Sequence, residues 1–277
     1  MIRSVKKAVG TVLRIPAIKR VLIEVPIIYK VYPACERTHP FDRAYNVDTS
    51  GYLAAEKIHT DPKMKDLVVP YSASQASIIR GALAALGDVS EYTFVDFGCG
   101  KGRATLVATE FPFQQIAGVE LSSALAEVAR RNAAGFAKRF PDRPKITIYT
   151  QNILDYELPK GKLVVYMYHS FGPPVLAEIL KRLETSLAAA HNTHIFVIYY
   201  NPVFHAGLDA SPAFGRWFAK TLDYDRSELG FGPDQADTVV IWQAKREAVS
   251  SPHADREARI VEVYPGWKAG LAVSGKN

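Results

Sequence analysis

Between Tyr92 and Ser122 the chain reads YTFVDFGCGKGRATLVATEFPFQQIAGVELS. A short apolar run carries Asp96 near its end, and glycines follow at positions 98, 100 and 102. Glycine reaches backbone conformations closed to other residues and lets a second group approach closely, so three in five positions impose a sharp turn. The next run, GRATLVATEF, suits a helix that stops near Pro112, and a second apolar run, QIAGVEL, carries Glu120 at its end. A strand that turns through glycines into a helix leaves the helix's first N–H groups facing a crevice. This segment predicts two parallel strands joined by a crossover helix.

The rest of the chain extends the same alternation. ASQASIIRGALAAL, from Ala73 to Leu86, has helical spacing and is stopped by Gly87. Ser122 is a plausible N-cap for SALAEVARRNAAGFAKRF. KITIYT, KLVVYMYHSF and THIFVIYYN read as the third, fourth and fifth strands, and DTVVIWQAK as a late one. PPVLAEILKRLETSLAAA is a helix with prolines in its first turn. The central strands are apolar on both faces, which argues for a doubly wound, mostly parallel α/β sheet covered by helices. The stretch between THIFVIYYN and DTVVIWQAK shows only a polar and aromatic mix. Beyond Lys245 the chain is polar, with ARIVEVYPGW as a candidate for one more short strand.

Charge is distributed unevenly. Residues 1–30 hold Arg3, Lys6, Lys7, Arg14, Lys19, Arg20 and Lys30 against Glu24, so the net +6 of the whole chain is carried there. The remaining 247 residues have 27 basic and 27 acidic groups. From that neutrality no extended nucleic-acid surface is expected on the body. The arm is broken by Pro16 and Pro26 and has no run of the roughly 20 apolar residues that span a bilayer. Three readings stay open for it: an extension packed on the body, a peripheral membrane contact, and a targeting or nucleic-acid arm. Cys35 and Cys99 are far apart and form no disulfide or zinc pattern, so no metal is expected and a reducing, cytoplasmic setting is the default. The expected organisation is a basic, apolar and helical N-terminal arm with a lid-like segment over 1–60, a main domain over 61–245 and a polar tail over 246–277.

Two ligand classes suit a glycine turn followed by a strand-end acid. A dinucleotide wants G-x-G-x-x-G, with its pyrophosphate on the helix N-terminus. Here the spacing is G-x-G-x-G, and Asp96 stands two residues before the first glycine. A carboxylate repels a pyrophosphate and favours a cation, such as a ligand with an amino group and a sulfonium. VDFGCGKG followed by GVELS resembles motif I and the second-strand acid of the class I S-adenosylmethionine (SAM) methyltransferases, over roughly residues 65–245. The resemblance implies a Rossmann-like methyltransferase fold with a seven-stranded sheet. It implies that Asp96 organises the turn and the methionine amino end. Gly98, Cys99, Gly100 and Gly102 would line the methionine and ribose, Glu120 would hold the ribose hydroxyls, and Leu121 would touch adenine. Asn152, in TQNILDY, stands where the family often has an Asp facing the adenine amine.

The acceptor side is expected just after the fourth strand, in YMYHSFGPP. Amino-methylating members often carry Asn/Asp-Pro-Pro-aromatic there; this chain has Tyr168, His169, Ser170 and Phe171. His169 is a candidate base, with Tyr168 and Phe171 beside it and Asn201, from YYNPVF, as a second wall. VVPYSASQASIIRGAL loosely resembles the opening that closes over SAM in small lysine methyltransferases of membrane-associated proteins, which would make Tyr71 and Ser72 contacts of the cofactor. FDRAYNVDTSGYL, before it, suits a lid. The functional expectation is methyl transfer from SAM to an amine such as a protein lysine, with a small molecule or RNA as the alternative acceptor and SAM binding without turnover as a third reading.

Overall fold

The computed structural model describes residues 37–58, 68–232 and 234–245. The basic arm, with its expected helix and membrane contact, the boundary near residue 60, and the tail with ARIVEVYPGW lie outside them. The chain begins with α1 (Pro40–Tyr45), then β1 (Tyr52–Leu53) pairs antiparallel with β2 (Tyr71–Ser72). The main body follows as α2 (Ala76–Ala84), β3 (Tyr92–Phe97), α3 (Arg103–Ala108), β4 (Gln115–Glu120), α4 (Ser123–Arg139) and β5 (Ile146–Thr150). It continues with β6 (Gly161–Tyr168), α5 (Pro173–Ala188), β7 (Asn192–Tyr200), α6 (Ala206–Ala210), β8 (Phe214–Asp223) and β9 (Ala236–Ala244).

Seven strands form one sheet in the order β5-β4-β3-β6-β7-β9-β8. The first five are parallel, and β9 runs antiparallel to both neighbours. This is the doubly wound, mostly parallel, Rossmann-like seven-stranded sheet that the sequence implies. All six residues of β3 are buried, as a central parallel strand covered on both faces must be. One face packs α2, α3 and Phe136 of α4 through Phe94, Ile116 and Tyr166; the other packs α5 through Val95, Val119 and Val165. The chain runs outward from β3 to β4 and β5, then crosses back to β6 on the far side of β3. A crevice opens where the order reverses, beyond the carboxyl ends of β3 and β6.

Ser122 caps α4, accepting from the Leu125 amide, and Pro173 opens α5. The polar and aromatic stretch after β7 holds the seventh strand, β8, which the sequence does not announce. It lies at the sheet's edge with buried and open residues interleaved irregularly, and its pairing with β9 shifts register between Arg216 and Phe218. The ten residues from β5 to β6 contain one 3-10 turn, Ile153–Asp155, and no helix. Part of the β4–β5 face is therefore open. Along the β5 edge, Arg130 of α4 donates to the Ile148 carbonyl at 3.3 Å and to the Thr150 hydroxyl, closing edge groups that could template another strand.

The segment before the sheet is tied to the glycine turn through one buried carboxylate. Asp42 accepts from the amides of Thr49 and Ser50, each at 2.7 Å, and from both hydroxyls. The Arg103 guanidinium lies 3.6 Å from Asp42 and donates to Thr49 Oγ1 at 2.7 Å and to the Ser74 carbonyl at 3.1 Å. Both charged side chains are buried. Arg103→Met should destabilise the protein by about 3–5 kcal/mol in urea denaturation, because it strips a buried anion of its cation. A loss under about 1 kcal/mol would show that the hub does not hold this segment.

Candidate active site

The crevice at the switch point is lined by the glycine turn, the end of β4, the loop after β5, the end of β6 and the strap formed by β2 and its flanks. The turn is latched to β4: the amides of Gly98 and Cys99 both donate to the Val119 carbonyl, at 2.9 and 3.0 Å. Gly100 has φ +54°, and a Cβ there would lie 2.3 Å from the Tyr71 ring. At Gly98, with φ +79°, a Cβ would lie 2.6 Å from Ser170. Both positions need glycine on two counts, backbone conformation and the approach of a neighbour. Gly102 caps α3 and packs against Ala129 of α4. It does not line the crevice.

Two carboxyls sit at the base. Glu120 accepts from the Gly100 amide and the Ser122 amide, each at 2.8 Å, so it clamps the turn to its own strand end. Burial still pushes its pKa above the ordinary carboxylate value. Asp96 is 3% exposed, lines the crevice, and has no hydrogen-bond partner among the described residues. Burial, with Glu120 nearby, holds its carboxyl well above the usual range. A buried acid without a donor is costly unless a ligand supplies one. A cation placed here would satisfy Asp96 and favour its ionised form. The Cys99 thiol is likewise raised well above its ordinary value by burial, so it is a wall and not a nucleophile.

Leu121, Asn152, Tyr71, Ser72, Cys99, Tyr168 and Phe171 all line the crevice. Asn152 also caps the 3-10 turn, its Oδ1 accepting from the Leu154 amide at 3.0 Å. His169 and Asn201 do not line it. Both sit at strand ends with positive φ, +46° and +47°, which takes their side chains out of the strand's alternation. The His169 ring stacks on Phe204 at 5.5 Å, and burial lowers its pKa to about 4, so it is neutral at pH 7. Asn201 is tied to β9, donating to Asp237 at 2.9 Å and accepting from the Thr238 amide at 3.3 Å. Sequence reasoning missed Ser74 and Tyr166, whose hydroxyls bond at 2.7 Å within the crevice wall. Tyr166 stands two residues before Tyr168 on β6, so strand alternation could have found it.

No family model and no curated protein matches the sequence. Solved structures do. A Streptococcus pneumoniae protein described as a tRNA (m1A22) methyltransferase is 14% identical, with TM-score 0.42 over 62% of this chain and 72% of that one. An RNA methyltransferase from Salinibacter ruber, solved with S-adenosyl-L-homocysteine, is 17% identical, with TM-score 0.38 over 69% and 99%. The 23S rRNA methyltransferase ErmE is 14% identical, with TM-score 0.40 over 69% and 72%. The expectation of no nucleic-acid surface is corrected beside these neighbours, which are described by their RNA substrates. That expectation rests on a charge total, and a total does not describe a surface. Among the described residues no helix is long and apolar enough to cross a membrane.

Proposed function

We propose that this chain is a SAM-dependent methyltransferase whose acceptor is a nucleobase in RNA. The observation that carries the cofactor is Asp96, a buried carboxyl with no donor among the described residues, in the lining of a switch-point crevice. It suits the amino group of SAM, and Glu120, fixed beside the turn, suits the ribose. Bound there, SAM supplies an electrophilic methyl group on a sulfonium. The chain's role is positioning: the turn and Asp96 fix one reactant, and the aromatic lining of the crevice holds the other in line.

That lining includes the partly exposed rings of Tyr168 and Phe171. Rings of this kind stack on unpaired bases. Burial raises the Tyr168 phenol, which stays protonated at neutral pH. The described lining holds no acid besides Asp96 and Glu120, both committed to the cofactor, so nothing there favours a lysine ammonium as acceptor.

Calorimetric titration with SAM and, separately, NADH tests the cofactor. SAM binding without NADH binding is expected; NADH binding without SAM overturns the reading. Tritiated methyl supplied as SAM is then offered to total RNA and to membrane protein. Label is expected in RNA, and label in protein alone overturns the acceptor.

A further inference from the structure

Tyr168 and Phe171 bring partly exposed rings to the crevice. Phe171 stands over the glycine turn: a Cβ on Gly98 would lie 3.7 Å from its Cζ. Tyr168 is backed by the Tyr200 ring, stacked at 4.4 Å. Behind Tyr200 lies a buried carboxyl, Asp237 at the start of β9, which is 6% exposed. One of its oxygens accepts from the phenols of Tyr200 and Tyr224, and the other accepts from the Asn201 amide at 2.9 Å. Three neutral donors suit an ionised carboxylate. Burial is the main reason that the Tyr168 phenol is held above its ordinary value, and the charges of Asp237 and Asp234 add to it. The field of Asp237 therefore reaches the crevice wall.

That arrangement discriminates among the atoms of a base. An exocyclic amine must shed a proton when it is methylated, so it gains from a group that takes the proton. The imidazole and the amide that follow β6 and β7 are committed elsewhere: His169 stacks on Phe204, and Asn201 holds Asp237. The Ser170 hydroxyl donates to the Tyr168 carbonyl at 3.3 Å. A pyridine-type ring nitrogen, such as N1 of adenine, N3 of cytosine or N7 of guanine, has no proton to lose. Its in-plane lone pair forms the N–C bond as the S–C bond breaks, and the S–C pair stays on sulfur in a neutral thioether. The positive charge passes from the sulfonium to the base. Ring faces with a buried anion behind them suit that charge. Arg103, the cation of the described lining, is already paired with Asp42 at 3.6 Å.

We propose that the acceptor atom is a pyridine-type ring nitrogen of an unpaired base, and that Asp237 sets this preference by holding a negative charge behind Tyr168. The inference rests on the RNA reading of the site and narrows it to one kind of atom. Total RNA is methylated by the full chain with tritiated SAM, digested to nucleosides at neutral pH and separated by cation exchange. Label is expected in nucleosides that are cationic at that pH. Asp237→Asn should lower kcat roughly tenfold and leave KM for RNA within about twofold, the mark of a charge that matters only in the transition state. SAM affinity by calorimetry should be the same in the variant and the wild type. Asp237→Glu, which keeps the charge, should retain more of kcat than Asp237→Asn.

Label on an exocyclic amine, a ring carbon or a ribose oxygen overturns the ring-nitrogen acceptor and leaves RNA methylation standing. Label in protein alone, from a chain that binds SAM, removes the RNA reading and this inference with it. Equal kcat in Asp237→Asn and the wild type, or equal losses in Asp237→Asn and Asp237→Glu, overturns the role of Asp237. So does a loss of kcat that SAM affinity follows in parallel. The wild-type product decides the acceptor atom even where Asp237→Asn does not fold.

Discussion

Asp96→Asn is expected to separate binding from stability, with effects of opposite sign. Truncating one partner of a buried charge pair costs about 2–5 kcal/mol, so SAM affinity should fall roughly 30-fold to 4,000-fold by calorimetry. The ligand-free protein should not be weakened. The folded pKa of Asp96 is raised above its ordinary 3.8 by burial and by Glu120. A raised carboxyl costs no stability below 3.8; the cost grows as pH rises through the folded pKa and is complete above it. Removing that ionisation should leave the melting temperature of the variant equal to or above that of the wild type at pH 7. For SAM the sign is the same seen from the ligand's side. The carboxyl must be ionised to hold a cation, so wild-type affinity should weaken as pH falls through the raised pKa, by up to about tenfold per unit for one proton. Asp96→Asn should lose that dependence. A variant that binds SAM as tightly as the wild type, with the same pH profile, places the cofactor elsewhere.

Gly100→Ala should damage both properties together. Alanine in the left-handed region costs about 1–2 kcal/mol. Its Cβ would lie 2.3 Å from a Tyr71 ring atom, and Tyr71 cannot step aside easily. The Tyr71 hydroxyl donates to the Thr49 carbonyl at 2.7 Å, and Tyr71 sits in the β1–β2 pairing opposite Leu53. Overpacking of this kind adds about 1–3 kcal/mol. The variant should lose about 2–5 kcal/mol in urea and bind no measurable SAM. Adding Tyr71→Ala should recover some of the stability, because the two changes share one clash. A single variant within about 0.5 kcal/mol of the wild type would mean that the ring does not press on the turn.

What the sequence discloses here divides by range. The glycine turn, Glu120, the Ser122 cap and the five parallel strands are written in contiguous residues, because each follows from local spacing and from strands apolar on both faces. β8 escapes that reading. Phe214–Asp223 is an edge strand with an irregular burial pattern, so neither alternation nor a continuous apolar run marks it. The Asp42–Arg103 hub joins residues 61 positions apart in sequence and leaves no periodic trace. His169 and Asn201 fall outside the crevice for a conformational reason: position in the chain puts them after strand ends, but their positive φ sends the side chains away from it.

The turn, the strap and the hub also have a kinetic meaning. The Gly100 amide is held by Glu120, the Tyr71 ring covers that glycine, Tyr71 is bonded to Thr49, and Thr49 to Asp42 and Arg103. No single member of this chain of contacts can let go without leaving buried polar atoms unpaired, so the groups open as one cooperative unit. Amide exchange at Gly100 and Thr49 should then follow a single opening event and slow together when the crevice is filled. On the proposed function, the residence time of a bound cofactor should follow that opening event.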